Sequence, residues 1–244
     1  MTYCVGIRCE QGLVLVSDSR TNAGVDQVSS YSKMHRFEFP GERVVVVLSA
    51  GNLATTQGVI DRIERDLEED REDTPGIRHL PRLHDIAAYI GDISRELQAR
   101  YTGDNGQRAF SANASFLIGG QIGKQPHDLL LVYPEGNYIS YAPRAPFLQI
   151  GESKYGKPIL DRIINHEVSL SDAARCALVS MDSTMRSNIS VGPPFELLLY
   201  KKDTLEVYRH RELDMDEPYY ARLQAEWGAA LRRSFDGLPR FEWE

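Results

Sequence analysis

Short runs of alternating or solidly apolar residues fill the first fifty positions, and the apolar spacing then lengthens from two to three or four. TYCVGIRC alternates weakly and GLVLVSDSR follows after the turn-like EQG, which predicts a β-hairpin. MHRFEF (34–39) and RVVVVLS (43–49) form a second pair across Pro40-Gly41, and the run of four valines reads as a strand buried on both faces. Gly51 is expected to open a helix, GNLATTQGVIDRIERDLEED, with a highly charged far end. EDREDTPGIRHLP reads as a loop from its Pro, Gly and charge density. Ile86, Tyr89, Ile90, Ile93 and Leu97 fall at helical spacing and predict a second helix over about 82–100.

Strands return at SANASFLIGGQIG, DLLLVYP and NYISY, with a turn at Glu135-Gly136-Asn137. FLQIG leads into a helix starting near Tyr155, and another helix follows over SDAARCALVSMDSTMR. Ser171 or Asp172 is the expected cap of that helix, and Ala174, Ala177, Leu178 and Met181 are its apolar line. FELLLYKKD and LEVYRHREL make a hairpin turning at Asp203-Thr204, and a last helix runs through EPYYARLQAEWGAALRRSF. Strands thus come in runs and helices in consecutive pairs, unlike the strict alternation of a parallel α/β fold. That order predicts an α+β layered architecture, two antiparallel sheets stacked face to face with helices on both outer sides. With no linker, repeat or low-complexity segment, residues 1–244 read as a single domain.

Composition mainly excludes. A 244-residue chain with 42% hydrophobic and 26% charged residues has ordinary globular make-up and enough length for a substantial core. Net charge is -7 and no basic stripe appears, which argues against nucleic acid as a partner. No apolar run approaches the ~20 residues of a membrane helix, and the N-terminus lacks the pattern of a secretory signal. The three cysteines, Cys4, Cys9 and Cys176, show no metal-like spacing and read as reduced thiols in a cytoplasmic protein. Cys4 and Cys9 lie an odd number of positions apart, so a regular strand turns them to opposite faces. The histidines show no ligand spacing, and no metal or cofactor is expected.

Candidate chemistry begins at position 2. Thr2 is either an ordinary strand start or, with Met1 removed, a hydroxyl beside its own free amine, one of the few ways an unassisted hydroxyl becomes a nucleophile. A hairpin brings the start of its first strand beside the end of its second, so Thr2 and Asp18 are expected neighbours. Lys33 follows the polar loop TNAGVDQVSSYS and can return to the same edge. An α-amine has a pKa near ~8, close enough to neutral to accept the hydroxyl proton. A nearby Lys33 would lower it, and Asp18 would hold Lys33 and balance its charge. Taken singly, Asp18 equally suits a turn former and Lys33 a solvated side chain.

MTYCVGIRCEQGLVLVSDSRTNAG, then YSKMHRF, then LSAGNLATTQ, resembles the N-terminal third of a proteasome β-subunit, and most closely the bacterial ancestral β-subunit group, Anbu. The pattern is an N-terminal Thr, a strand-ending DSR, a Lys before the third strand and a small Ala-Gly pair, present as Thr2, Asp18 with Arg20, Lys33 and Ala50-Gly51. The resemblance is clear over 2–57 and weaker over 145–201. It implies the αββα sandwich of N-terminal-nucleophile hydrolases, with Thr2 as nucleophile, its amine as general base, Lys33 tuning that amine and Asp18 as partner. Gly51, placed at a helix start, would give an oxyanion N–H. Arg20 is carried over with the substrate-side residues; Asn22 would align substrate backbone, and Leu53 would line a pocket for apolar or uncharged side chains or be a plain core contact. Self-assembly into a ring or helical stack is implied, with a peptide or amide substrate and room for an ATPase or other accessory partner. Tyr219, Tyr220, Trp227 and Phe235 on the last helix read as packing or as a subunit contact.

Departures from the pattern fall in two places. Glu152, followed by Ser153 in IGESKYGK, stands where the family usually has the Ser of Gly-Ser-Gly, and GESKYGK favours Anbu within the superfamily. In RSNISVG, Ser190 matches a supporting Ser, but Ser187 replaces the usual Asp. Glu152 then either compensates for the lost carboxylate or is a loop residue facing solvent. Three readings follow: a threonine hydrolase, a catalytically silent or substrate-restricted assembly that binds peptides or partners, and an amidase for small amides.

Overall fold

The structure, a computed structural model, describes residues 1–22, 28–70, 76–102 and 111–243. In chain order the strands are β1 (Tyr3–Cys9), β2 (Gly12–Asp18), β3 (Arg20–Asn22), β4 (Val28–Ser30), β5 (Met34–Phe39) and β6 (Arg43–Gly51). They continue as β7 (Ala114–Ile122), β8 (Asp128–Val132), β9 (Tyr138–Ser140), β10 (Phe147–Gly151), β11 (Phe195–Lys201) and β12 (Val207–Leu213). The helices are α1 (Leu53–Glu69), α2 (Leu83–Thr102), α3 (Lys157–Ile163), α4 (Leu170–Ser187) and α5 (Pro218–Asp236).

Two five-stranded antiparallel sheets, β10-β1-β2-β11-β12 and β5-β6-β7-β8-β9, pack face to face. Strand alternation splits the apolar residues into layers. Val44 and Val46 join Leu13, Leu15, Leu117 and Leu198 between the sheets, while Val45 and Val47 turn outward under α1 and α2 with Val59, Ile63, Ile86 and Ile90. Tyr3, Val5, Ile7 and Cys9 face α3 and α4 on the opposite side, where Ala174, Ala177, Leu178 and Met181 meet them. Cys4 faces between the sheets, so the two N-terminal thiols do point apart. The result is a four-layer αββα sandwich of the α+β class, as the order of elements implied.

Three local features differ from the sequence-based expectation. Gly51 does not open α1; it ends β6 opposite Ala114 with φ +121, and Asn52 caps the helix by accepting from the Thr55 N–H at 3.1 Å. A Cβ on Gly51 would lie 2.3 Å from the Asn113 carbonyl oxygen, so only glycine lets the strand continue there. Ser169, rather than Ser171 or Asp172, caps α4: its Oγ accepts from the Asp172 N–H and donates to the Asp172 carboxylate, which places the cap two residues before Ser171 and three before Asp172. The polar stretch after DSR carries a short hairpin, β3 with β4.

Register delivers several strand ends to one edge. Cys4 pairs with Ser17, which leaves Tyr3 beside Asp18 and Thr2 one residue beyond, while Tyr3 also sits opposite Gly151 of β10. Lys33 precedes β5, and its carbonyl accepts from Ser49 N–H of β6.

Candidate active site

Asp18 is the hub of this edge. It is fully buried, and three donors converge on it: Lys33 Nζ at 2.8 Å and Tyr3 N–H at 3.0 Å on Oδ1, and Gly192 N–H at 3.3 Å on Oδ2. Lys33 is 6% exposed and also donates to the Arg20 carbonyl at 2.8 Å. Burial pushes the Asp18 carboxyl up from its ordinary value, and the Lys33 charge and the hydrogen bonds oppose that rise. The α-amine, here on Met1, is pushed down, first by burial and then by Lys33, with Asp18 and Glu152 opposing. An amine held down in this way gives up its proton more readily than an exposed one.

Thr2, Lys33, Gly51, Leu53 and Arg20 share the walls of one cleft of about 450 Å³. Thr2 is half-buried there, and its carbonyl accepts from the Glu152 N–H at 2.7 Å. Gly151 has φ +80, and a Cβ on it would lie 1.9 Å from that same carbonyl oxygen, so the β10 turn closes directly onto the residue. Leu53 lines the cleft as the first residue of α1. Arg20 lines it too, but its guanidinium donates to the Ile189 carbonyl at 2.8 Å and so ties the 188–192 loop to β3. Asn22 ends β3, and its side chain lies outside the described residues.

Glu152 meets the loop that follows Ser187, not Ser187 itself. Glu152 is 4% exposed, which rules out the solvent-facing alternative; its Oε2 accepts from Asn188 Nδ2 at 3.1 Å and Lys154 Nζ stands 3.7 Å from Oε1. Asn188 Oδ1 in turn accepts from the Ser190 N–H at 3.0 Å. Ser187 ends α4 exposed, whereas Ser153 is half-buried, with its carbonyl accepting from Lys157 N–H. Asn188, which the sequence did not single out, thus links Glu152 with Ser190.

The cleft also contains two polar side chains that alternation hides. His35 and Ser49 project from β5 and β6 on the face that carries Phe37, Val45 and Val47, beside Leu53 at the start of α1. The His35 imidazole has no hydrogen-bond or ion-pair partner among the described residues, and burial pushes its pKa down to about 4. It is therefore a neutral group with one donor and one acceptor available.

Residues 2–198 match the sequence pattern of the family described as "Proteasome subunit". The chain belongs to the proteasome subunit family. Among solved structures it is similar to Anbu (ancestral beta-subunit) from Yersinia bercovieri, at 40% identity over 99% of this chain and 100% of that one, with a TM-score of 0.92. An Anbu (Gly-1) mutant from Hyphomicrobium sp. strain MC1 is 42% identical over 99% and 100% of the two chains, with a TM-score of 0.91. The helical assembly of the Anbu complex from Pseudomonas aeruginosa is 43% identical over 98% of each chain, with a TM-score of 0.92. No curated protein matches the sequence. In this proteasome subunit, the Thr2, Asp18, Lys33 and Gly51 pattern read from the sequence is thus one neighbourhood: a cleft with a buried ion pair behind it.

Proposed function

We propose that this chain is a threonine-type hydrolase of peptide or amide bonds. With Met1 removed, Thr2 Oγ attacks the substrate carbonyl, and the Thr2 α-amine takes the hydroxyl proton as general base. Lys33 lowers the pKa of that amine, and Asp18 fixes Lys33. The backbone N–H of Gly51 donates to the oxyanion. The proton passes to the departing amine, leaving an ester on Thr2, and water then cleaves the ester and regenerates the hydroxyl. Ser190, Ser153 and Glu152 support the site from the 151–153 and 188–192 loops, and Arg20 steadies the second of these. Leu53, His35 and Ser49 together suit an uncharged side chain with some hydrogen-bonding capacity.

The observation that carries this reading is the common cleft of Thr2, Lys33 and Gly51 over the buried Asp18. Self-assembly fits the same picture, since a similar protein is described as a helical assembly and α5 exposes Leu231 and Phe235. The three buried free cysteines suit a reducing, cytoplasmic setting. Among the described residues no helix is long and apolar enough to cross a membrane.

The test is intact mass before and after an epoxyketone or β-lactone probe. Loss of Met1 and gain of one adduct, absent in Thr2→Ala, supports the hydrolase; unstructured polypeptides against small amides then separates peptidase from amidase. Glu152, a buried acid beside the amine, favours a second reading, a silent or substrate-restricted assembly. A chain that has lost Met1 yet takes up no probe would decide for that reading.

A further inference from the structure

Tyr3 follows the proposed nucleophile directly, and its side chain is fully buried on the face opposite the inter-sheet core. Its phenol oxygen has two partners, Gln149 Nε2 at 2.6 Å and Ser180 Oγ at 3.2 Å. Donor accounting fixes the direction of this relay. The Gln149 amide nitrogen can only donate, so the phenol accepts from it. Ser180 Oγ already donates to the Ala177 carbonyl at 2.7 Å, so it accepts from the phenol. Burial pushes the phenol up to about 12, which keeps that proton in place.

The relay ends on the turn that holds Thr2. Gln149 Nε2 also donates to the Ser153 carbonyl at 3.4 Å, and a Cβ on Gly156 would lie 2.2 Å from the Tyr3 oxygen. The 151–156 turn is therefore shaped around this phenol. The same turn grips the Thr2 carbonyl through Glu152 N–H, while Asp18 grips the next N–H, that of Tyr3. Tyr3 does not line the cleft, so it has no route to substrate. We propose that Tyr3 is a positioning residue for Thr2: its phenol, through Gln149 and the 151–156 turn, sets where the Thr2 hydroxyl and amine stand relative to Lys33 and Gly51.

The inference rests on Thr2 being the nucleophile, and Tyr3→Phe tests it. Phenylalanine fills the same volume but strands Gln149 and Ser180. With the Thr2-directed probe, the maximal inactivation rate should fall roughly tenfold, because small misplacements of reacting groups are costly, while the probe concentration at half-saturation stays put. A purely structural role would lower the thermal midpoint yet leave the rate unchanged at temperatures where the variant is folded; that result overturns the proposal. Equal changes in rate and half-saturation would overturn it as well. Should the wild-type chain lose Met1 and still take up no probe, the hydrolase reading fails by itself. Hydrogen exchange then judges Tyr3: faster exchange of the Glu152 and Lys157 amides in Tyr3→Phe upholds its hold on the turn, and unchanged exchange overturns it.

Discussion

Lys33, at the head of one sheet, donates to Asp18, at the end of a strand in the other, across 2.8 Å of buried space. The ion pair is thus both a link between the layers and the electrostatic centre of the cleft. Its two roles separate experimentally. Asp18→Asn leaves a buried ammonium without its counter-ion and should cost about 3 kcal/mol or more in urea unfolding. Lys33→Met in the same chain removes that ammonium and should recover much of the loss. Probe uptake at Thr2 should stay at least a hundredfold down in both. Recovery of reactivity together with stability would mean that the pair serves the fold alone.

Gly51 offers a second test. Its φ of +121, and the Asn113 carbonyl oxygen 2.3 Å from where a methyl group would stand, leave no room for alanine. Gly51→Ala should destabilise by roughly 1–3 kcal/mol and displace the backbone N–H proposed as the oxyanion donor. Loss of an oxyanion donor costs on the order of a hundredfold in rate, so probe labelling should fall by about that factor in folded protein. Unchanged labelling would remove Gly51 from the oxyanion role.

What the sequence made legible follows from range. Asp18 and Tyr3 become neighbours through one short hairpin, and strand ends in a hairpin meet by register alone, so their proximity needs no tertiary knowledge. The valine run and the α4 apolar line were equally plain, because periodicity reports burial directly. The phenol of Tyr3 was not legible, since its partners lie 146 and 177 residues away and a strand tyrosine looks like any core aromatic. His35 was hidden for a related reason: alternation gives the face it occupies but not the cleft that opens there. The misplaced helix starts reflect cap chemistry, in which Ser, Asp and Gly neighbours compete and only the side-chain bond decides. Glu152 was ambiguous until Asn188 was seen to meet it.

Glu152→Gln tests the electrostatics of the base. Glu152 opposes the lowering of the α-amine on Met1, so neutralising it should also lower the pKa of the amine that removal of Met1 leaves on Thr2. A lower pKa leaves more free amine at acid pH. The acid limb of the probe-rate profile should therefore move to lower pH, with Asn188 still able to donate to the Gln carbonyl. Movement toward higher pH would show that the charge of Glu152 acts through another group.

The exposed side of α5 makes a prediction about assembly. Phe235 is 73% exposed and Leu238 lies just beyond the helix at 58%. Replacing both with serine touches no core contact and should change stability by less than about 0.5 kcal/mol. Sedimentation velocity should nonetheless shift to smaller species. An unchanged distribution would place the subunit contact elsewhere.

His35 makes stability depend on pH. Burial holds the imidazole near pKa about 4, against 6.5 for the free group. Between those values the unfolded chain binds a proton that the native chain does not, so native stability falls as pH drops from 6.5 toward about 4 and levels below it. The full shift corresponds to at most about 3.5 kcal/mol. His35→Gln lacks this titration, so wild type should lose stability relative to the variant as pH falls across that window. The same variant keeps a hydrogen-bonding group in the cleft, whereas His35→Leu does not. Probes with a carboxamide side chain should lose roughly tenfold against leucine-bearing probes in His35→Leu and hold their ratio in His35→Gln, because one unpaired buried polar group costs about 1–3 kcal/mol. Equal ratios in all three proteins would take His35 out of substrate selection and leave it to Leu53 and Ser49.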